Sequence, residues 1–274
     1  MASVNTNYGA MIALQNLNKT NAELNEVQSR INSGLKVASA KDNGATFAIA
    51  QSMRGKVAGY GVAADTVDKA MSTVDAAISG GNSISDLLTQ LKEKATAAKD
   101  SSLTTSQRAA YNADFTRLRD EITSIVTNAE FNGANLIKAS GSNAVAFAND
   151  TGSSLITVTA VSFALSGTVN TIRSTEAVDT VTNATAALTR INASITAINK
   201  QLAVFGSATR ALQAHKNFLT SLSDTLQAGI GNLVDADLAK DSAKLSSLQV
   251  KQQLGAQALS IANSQASILL RFFQ

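Results

Sequence analysis

IAQSMRGKVAGYGVAADTVDKAMSTVDAAI, residues 49–78, sets apolar side chains at Ile49, Met53, Val57, Tyr60, Ala64, Val67, Met71, Val74 and Ile78. Intervals of three and four lay one stripe along an α-helix and sustain a coiled-coil seam. After a soft patch at Gly80-Gly81 the stripe resumes at Ile84, Leu88, Leu91, Ala95 and Ala98. The whole element would run about 80 Å at 1.5 Å per residue. Such a helix covers its apolar stripe only by lying against others, so the rest of the chain must supply them.

Upstream, Met11, Leu14, Leu17, Leu24, Val27 and Ile31 form another helical stripe that stops near Ser33-Gly34, followed by a short polar connector over residues 35–44. Gly tolerates the left-handed backbone that often closes a helix. Downstream, Thr104 with Gln107 has the spacing of a capping box. It opens a helix whose seam is Tyr111, Phe115, Leu118, Ile122, Ile125 and Ala129. From residue 131 to 173 turn-formers separate β-branched runs, and residues 144–147 are placed to pair with residues 154–159 through the Asp150-Gly152 turn. The helical signal returns at Ala184, Leu188, Ile191, Ile195, Ile198, Leu202, Phe205, Leu212, Leu219 and Leu226. The expected fold is mainly α: a long, coiled-coil-like helical bundle or rod formed by the N- and C-terminal halves, with a small β-hairpin region at about residues 138–173. Its seam is assigned to Ile49, Met53, Val57, Val67, Met71, Val74, Ile78, Leu188, Ile191, Ile195, Ile198 and Leu202.

The composition agrees with helices packed side by side. The chain has 274 residues, 45% of them apolar but only 4% aromatic, with no Pro, Cys or Trp. Nothing kinks a helix as Pro would, and no thiol ties stability to a redox compartment. The net charge of +3 is scattered, without a basic stripe or RNA-binding aromatics, which argues against nucleic acid. No run reaches the ~20 apolar residues that cross a bilayer. The first twenty residues lack the basic start and apolar stretch of a cleavable signal peptide.

Beyond Gly229 and Gly231 the last segment carries two stripes. One is Leu238, Leu245, Leu248, Leu259, Ala262, Ala266 and Leu269, and the other is Val250, Leu254, Ala258, Ile261, Ile268 and Phe272. One antiparallel neighbour, the first helix, covers about one face, and each Leu left in water forfeits about 1.5–3 kcal/mol. Other copies of the chain would supply the missing walls, and head-to-tail contacts between unlike surfaces build open helical polymers. The self-assembly core is assigned to Leu14, Leu17, Leu24, Val27, Ile31, Leu245, Leu248, Leu259, Ile268, Leu269 and Phe272. A charge at Leu248 or Leu259 should block polymerisation and leave the rod folded. Two domains are expected, residues 1–43 with 233–274 as an inner core of paired terminal helices, and residues 44–232 as an outer helical rod.

Both chain ends resemble the bacterial flagellins. The residues that carry the likeness are Ser3-Val4-Asn5-Thr6-Asn7 with Ala13-Leu14-Gln15-Asn16-Leu17, and Arg30-Ile31-Asn32-Ser33-Gly34-Leu35-Lys36-Val37-Ala38-Ser39-Ala40-Lys41-Asp42-Asn43-Gly44-Ala45. Glu130-Phe131-Asn132-Gly133-Ala134-Asn135-Leu136, Asp235-Ala236-Asp237-Leu238-Ala239 and the tail over residues 248–272 continue it. The resemblance implies a homopolymeric filament for swimming motility, located outside the cell. It further implies type III export without a cleaved signal, aided by a chaperone, and contacts with a filament cap and a hook–filament junction protein. It also places Gln90 where many members carry an Arg read by innate Toll-like receptors, so recognition is expected to be weak. Where many members have a Pro before the C-terminus, this chain has Asn263-Ser264-Gln265-Ala266-Ser267, which implies a straighter last helix.

Two other readings stand beside the filament subunit: a hook–filament junction protein with related ends, and a monomeric helical adhesin or effector. Catalysis has no support in the residues. His215 is the only His and has no ligand companions, and Asp235 and Asp237 suit the start of the last helix better than a cation site. Gly55 and Gly59 are better explained by helix crowding than as a membrane-packing pair. No cofactor or metal is expected.

Overall fold

The computed structural model describes residues 6–271, with side chains as far as residue 264. In chain order it contains α1 (Tyr8–Ser33), α2 (Gly44–Ala98), α3 (Thr105–Asn128), β1 (Ala144–Phe147), β2 (Leu155–Val158), α4 (Val181–Val234) and α5 (Leu238–Arg271). The mainly helical class with one small hairpin is as the sequence predicts.

Local chemistry sets the ends of these elements. Gly34 closes α1 at φ 71°, its N–H donating to the Arg30 carbonyl at 2.8 Å. Thr104 opens α3 with both arms of the capping box: Gln107 N–H donates to Thr104 Oγ1, and Thr104 N–H donates to Gln107 Oε1 at 2.9 Å. Asp237 Oδ1 accepts from Lys240 N–H at 3.0 Å at the start of α5. The hairpin pairs Ala144 with Val158 and Phe147 with Leu155, and Gly152 turns it at φ 68°.

Contacts divide the chain into two compact units, residues 56–224 and residues 1–55 with 225–274. In the first, α2 lies antiparallel to both α3 and α4. Asp68 pairs with Lys216 at 2.7 Å and Ser85 Oγ donates to Asn199 at 3.3 Å, so residue numbers rise along one helix as they fall along the other. Lys94 meets Asp114 at 2.8 Å in the same sense across α2 and α3. Segment 159–180 straps this bundle without regular structure. Its polar groups are satisfied by buried Asn170, by Asn112, whose Oδ1 accepts from Val178 N–H, and by Glu176, which pairs with Arg190 at 2.6 Å.

The buried line of α2 is Ala63, Val67, Ala70, Val74, Ala77, Gly81, Ile84, Leu88, Leu91, Ala95 and Ala98, an unbroken alternation of four and three. This line differs from the one drawn through the large side chains. Val67, Val74, Ile191 and Ile198 are buried. Met71, Ile78, Leu188, Ile195 and Leu202 are half-buried against the core, and Met53 and Val57 are half-buried as well. Ile49, placed on the seam by spacing, is instead 53% exposed. Ala occupies the line of closest approach because helices that pack tightly leave no room there for larger groups, which flank the seam instead.

Gly80-Gly81 does not soften α2. A Cβ on Gly80 would stand 2.8 Å from that of Ala129, and one on Gly81 would stand 2.6 Å from Leu202 Cδ2. The two residues form a notch, and packing outweighs the ~1 kcal/mol that each Gly costs a helix. Gly229 and Gly231 likewise lie inside α4, which continues to Val234 before α5 begins.

Candidate self-association surface

In the second unit α1 and α5 run antiparallel. Asn7 Nδ2 donates to the Ala262 carbonyl at 2.8 Å, Gln252 Nε2 donates to Asn21 Oδ1 at 2.8 Å, and Leu35 bridges Asp235. Between these clasps Leu24, Val27 and Leu248 are buried, with Ile31 and Leu245 packed against them. Leu17 sits against Gly255, where a Cβ would come within 3.3 Å of Leu17 Cδ1.

The two connectors hold the base of this pair. Lys36 N–H donates to the Val234 carbonyl at 2.8 Å and Ala236 N–H to that of Gly34 at 2.9 Å, while Val37 and Val234 are buried beneath them. Asp42 Oδ2 accepts from Ser39 N–H at 2.8 Å, Ser39 Oγ and Ala38 N–H. The Ser39 backbone bond leads in holding its carboxyl below the ordinary 3.8.

Among the described side chains, this pairing uses one side of α5. Val250 is 55% exposed, Leu254 64% and Ile261 59%, at intervals of four and seven, on the face turned away from Leu248. Met11, Ile12 and Leu14 are exposed on α1. Thus, of the predicted assembly residues, Leu24, Val27, Ile31, Leu245 and Leu248 form the seam within the chain, and Leu17 and Leu259 are half-buried at its outer end. Leu14 stays exposed. The side chains of Ile268 and Leu269 and the whole of Phe272 lie outside the described residues.

A model of the bacterial flagellin N-terminal helical region matches residues 4–144, and one of the C-terminal helical region matches residues 188–273. The chain belongs to the bacterial flagellin family. Flagellin FljK of Caulobacter vibrioides is 48% identical over 275 residues, which cover 99% of this chain and 98% of that one. A flagellin of Brucella melitensis is 34% identical over the full length of both. A solved structure titled as a putative flagellar hook-associated protein from Vibrio parahaemolyticus superposes with a TM-score of 0.56 at 12% identity, over 71% of this chain and 100% of that one, and shares the fold. This flagellin is a structural filament subunit, short enough to lack a large outer domain.

The amide clasps of the flagellin's terminal pair escape a reading based on apolar periodicity. Asn21 stands three residues before Leu24 and Gln252 four after Leu248, so both lie on the buried side of their helices, and that position is the available signal. His215 takes a packing role, its Nε2 lying 3.1 Å from the Ala148 carbonyl oxygen. Among the described residues no group of three or more His, Cys, Asp or Glu could hold a metal ion, and no helix is long and apolar enough to cross a membrane.

Proposed function

We propose that copies of this flagellin polymerise into the filament through the outer face of the α1–α5 pair. Residues 1–43 with 233–274 then act as the inner core and residues 44–232 as the outer part of the subunit. The exposed stripe Val250, Leu254 and Ile261, opposite an already filled seam, carries this reading. Burying three such side chains, each partly shielded already, is worth about 4 kcal/mol, while fixing two subunits together costs about 4–15 kcal/mol. One stripe therefore meets at most the lower end of that cost. Met11, Ile12 and Leu14 on α1 add a second face, and contacts with several neighbours at once make the polymer favourable.

The subunit is an export substrate that leaves the cell without a cleaved signal. An export chaperone covers its C-terminal apolar stripe, and it meets the cap and junction proteins at the ends of the filament. Catalysis has no part in this role. Gln90 is exposed on α2 and cannot offer the charged, forked donor set of Arg, so Toll-like receptors recognise the monomer weakly. Electron microscopy of the purified chain after seeding with filament fragments tests the central claim. Long filaments are expected, and a chain that stays monomeric at every concentration overturns it.

A further inference from the structure

We propose that Met11 is an oxidation-sensitive position at which peroxide prevents the free subunit from polymerising, an inference that rests on the assembly surface proposed above. The chain has 4 Met. Met1 lies outside the described residues. Met71 is packed against the helical core, and Met53 is half-buried with its methyl group close to Gly229. Met11 is 59% exposed and lines a groove of about 420 Å³ with Leu14, Leu259 and Asn263. Met11 is the most exposed of the three, and it lies among the side chains that a neighbouring copy covers.

The chemistry needs hydrogen peroxide alone. A sulfur lone pair attacks one peroxide oxygen and the O–O bond breaks. The departing hydroxide takes the proton from the transferred oxygen. Sulfur is oxidised by two electrons to the sulfoxide, and peroxide is reduced to water. In the free subunit water solvates the new S–O dipole, so α1 and α5 stay paired. On assembly that acceptor must leave water, and the nearby Asn7 amide already gives one of its two N–H groups to the Ala262 carbonyl. An unsatisfied buried acceptor raises the critical concentration for polymerisation about tenfold. Peroxide met before assembly is therefore decisive, whereas filaments already built keep Met11 covered.

The test compares seeded polymerisation of wild type, Met11→Leu and Met11→Gln, with and without hydrogen peroxide, and peptide mass spectrometry reads the site of oxidation. Treated wild type should show the tenfold rise, with sulfoxide at Met11. Met11→Leu, which has no thioether at this position, should show the same critical concentration with and without the treatment, whatever its untreated value. Untreated Met11→Gln, which resembles the sulfoxide in polarity, should show the rise without oxidant. Equal sensitivity of wild type and Met11→Leu, or normal polymerisation of Met11→Gln, overturns the proposal. An untreated wild type that never polymerises instead sinks the assembly surface, and this inference with it.

Discussion

A Cβ added to Gly59 would stand 2.5 Å from the carbonyl oxygen of Asp150, so the tip of the hairpin rests directly on the backbone of α2. Besides the burial of Ala144 and Ala146 in the helical core, two further contacts dock β1 and its turn. Phe147 N–H donates to Thr66 Oγ1 at 2.9 Å, and His215 Nε2 approaches the Ala148 carbonyl. The hairpin has only two strands, too few for stability by itself, and the helices supply its missing support.

This closeness separates two neighbouring substitutions. Gly→Ala inside a helix gains about 0.5–1 kcal/mol where space is open. Gly61 has nothing within reach of a new Cβ, so Gly61→Ala should be stabilising by that amount. At Gly59 the obstacle is backbone, which cannot rotate aside, and overpacking costs about 1–3 kcal/mol. Gly59→Ala should therefore be net destabilising in urea unfolding. Equal gains at both sites would show that the hairpin tip does not rest on α2.

Leu254 and Leu248 occupy opposite faces of α5, the first 64% exposed and the second buried at 2%. Leu254→Glu should leave the circular dichroism melt of the monomer nearly unchanged and abolish seeded polymerisation. Leu248→Glu places a charge between Leu24 and Val27 and should loosen the α1–α5 pair by at least about 3 kcal/mol, read as faster amide hydrogen exchange in both helices. It is first a folding variant of the α1–α5 pair, whereas the expectation that a charge there leaves the rod folded concerns the other unit. Filaments of normal length from Leu254→Glu would remove the exposed stripe from the assembly surface.

Glu176 ties the strap to α3 and α4. Its carboxylate pairs with Arg190 and accepts from Arg173 N–H, while Arg119 Nη1 donates to its carbonyl at 2.7 Å. Breaking a fully buried pair costs about 3–5 kcal/mol, but Arg190 is partly exposed, so Glu176→Gln should cost about 2 kcal/mol in urea unfolding. A loss under 0.5 kcal/mol would mean that water already screens the pair.

Lys94 and Asp114 give a pH signature with two edges. The hydrogen bond from Lys94 holds the Asp114 carboxyl below its ordinary 3.8, and the same bond holds the Lys94 ammonium above its ordinary 10.5. A depressed carboxyl contributes stability above its unfolded pKa and loses it as pH falls through the folded value. A raised ammonium contributes below its unfolded pKa and loses it as pH rises through the folded value. The melting difference between wild type and Asp114→Asn should thus be present at neutral pH and fade at both the acid and alkaline extremes. A difference unchanged at pH 2 would assign it to something other than this pair. Salt should shrink it, since both groups face water.

The residues that determine their own surroundings were legible in the sequence alone. Gly34, the Thr104–Gln107 pair, Asp237 and Gly152 act through bonds to neighbours a few positions away, so the ends of α1, α3, α5 and the hairpin turn follow from local chemistry. The presence of two apolar stripes on α5 was legible for the same reason, because a helix has one fixed period. Tertiary structure alone decided which stripe faces α1, since either could in principle dock, and the clasps Asn7–Ala262 and Asn21–Gln252 select the one centred on Leu248. It also decided that Ala63, Ala70, Ala77 and Gly81 hold the centre of the seam in place of Ile49 or Met71. Burial there is set by how closely two backbones approach, and that distance belongs to the pair of helices and cannot be read from either one.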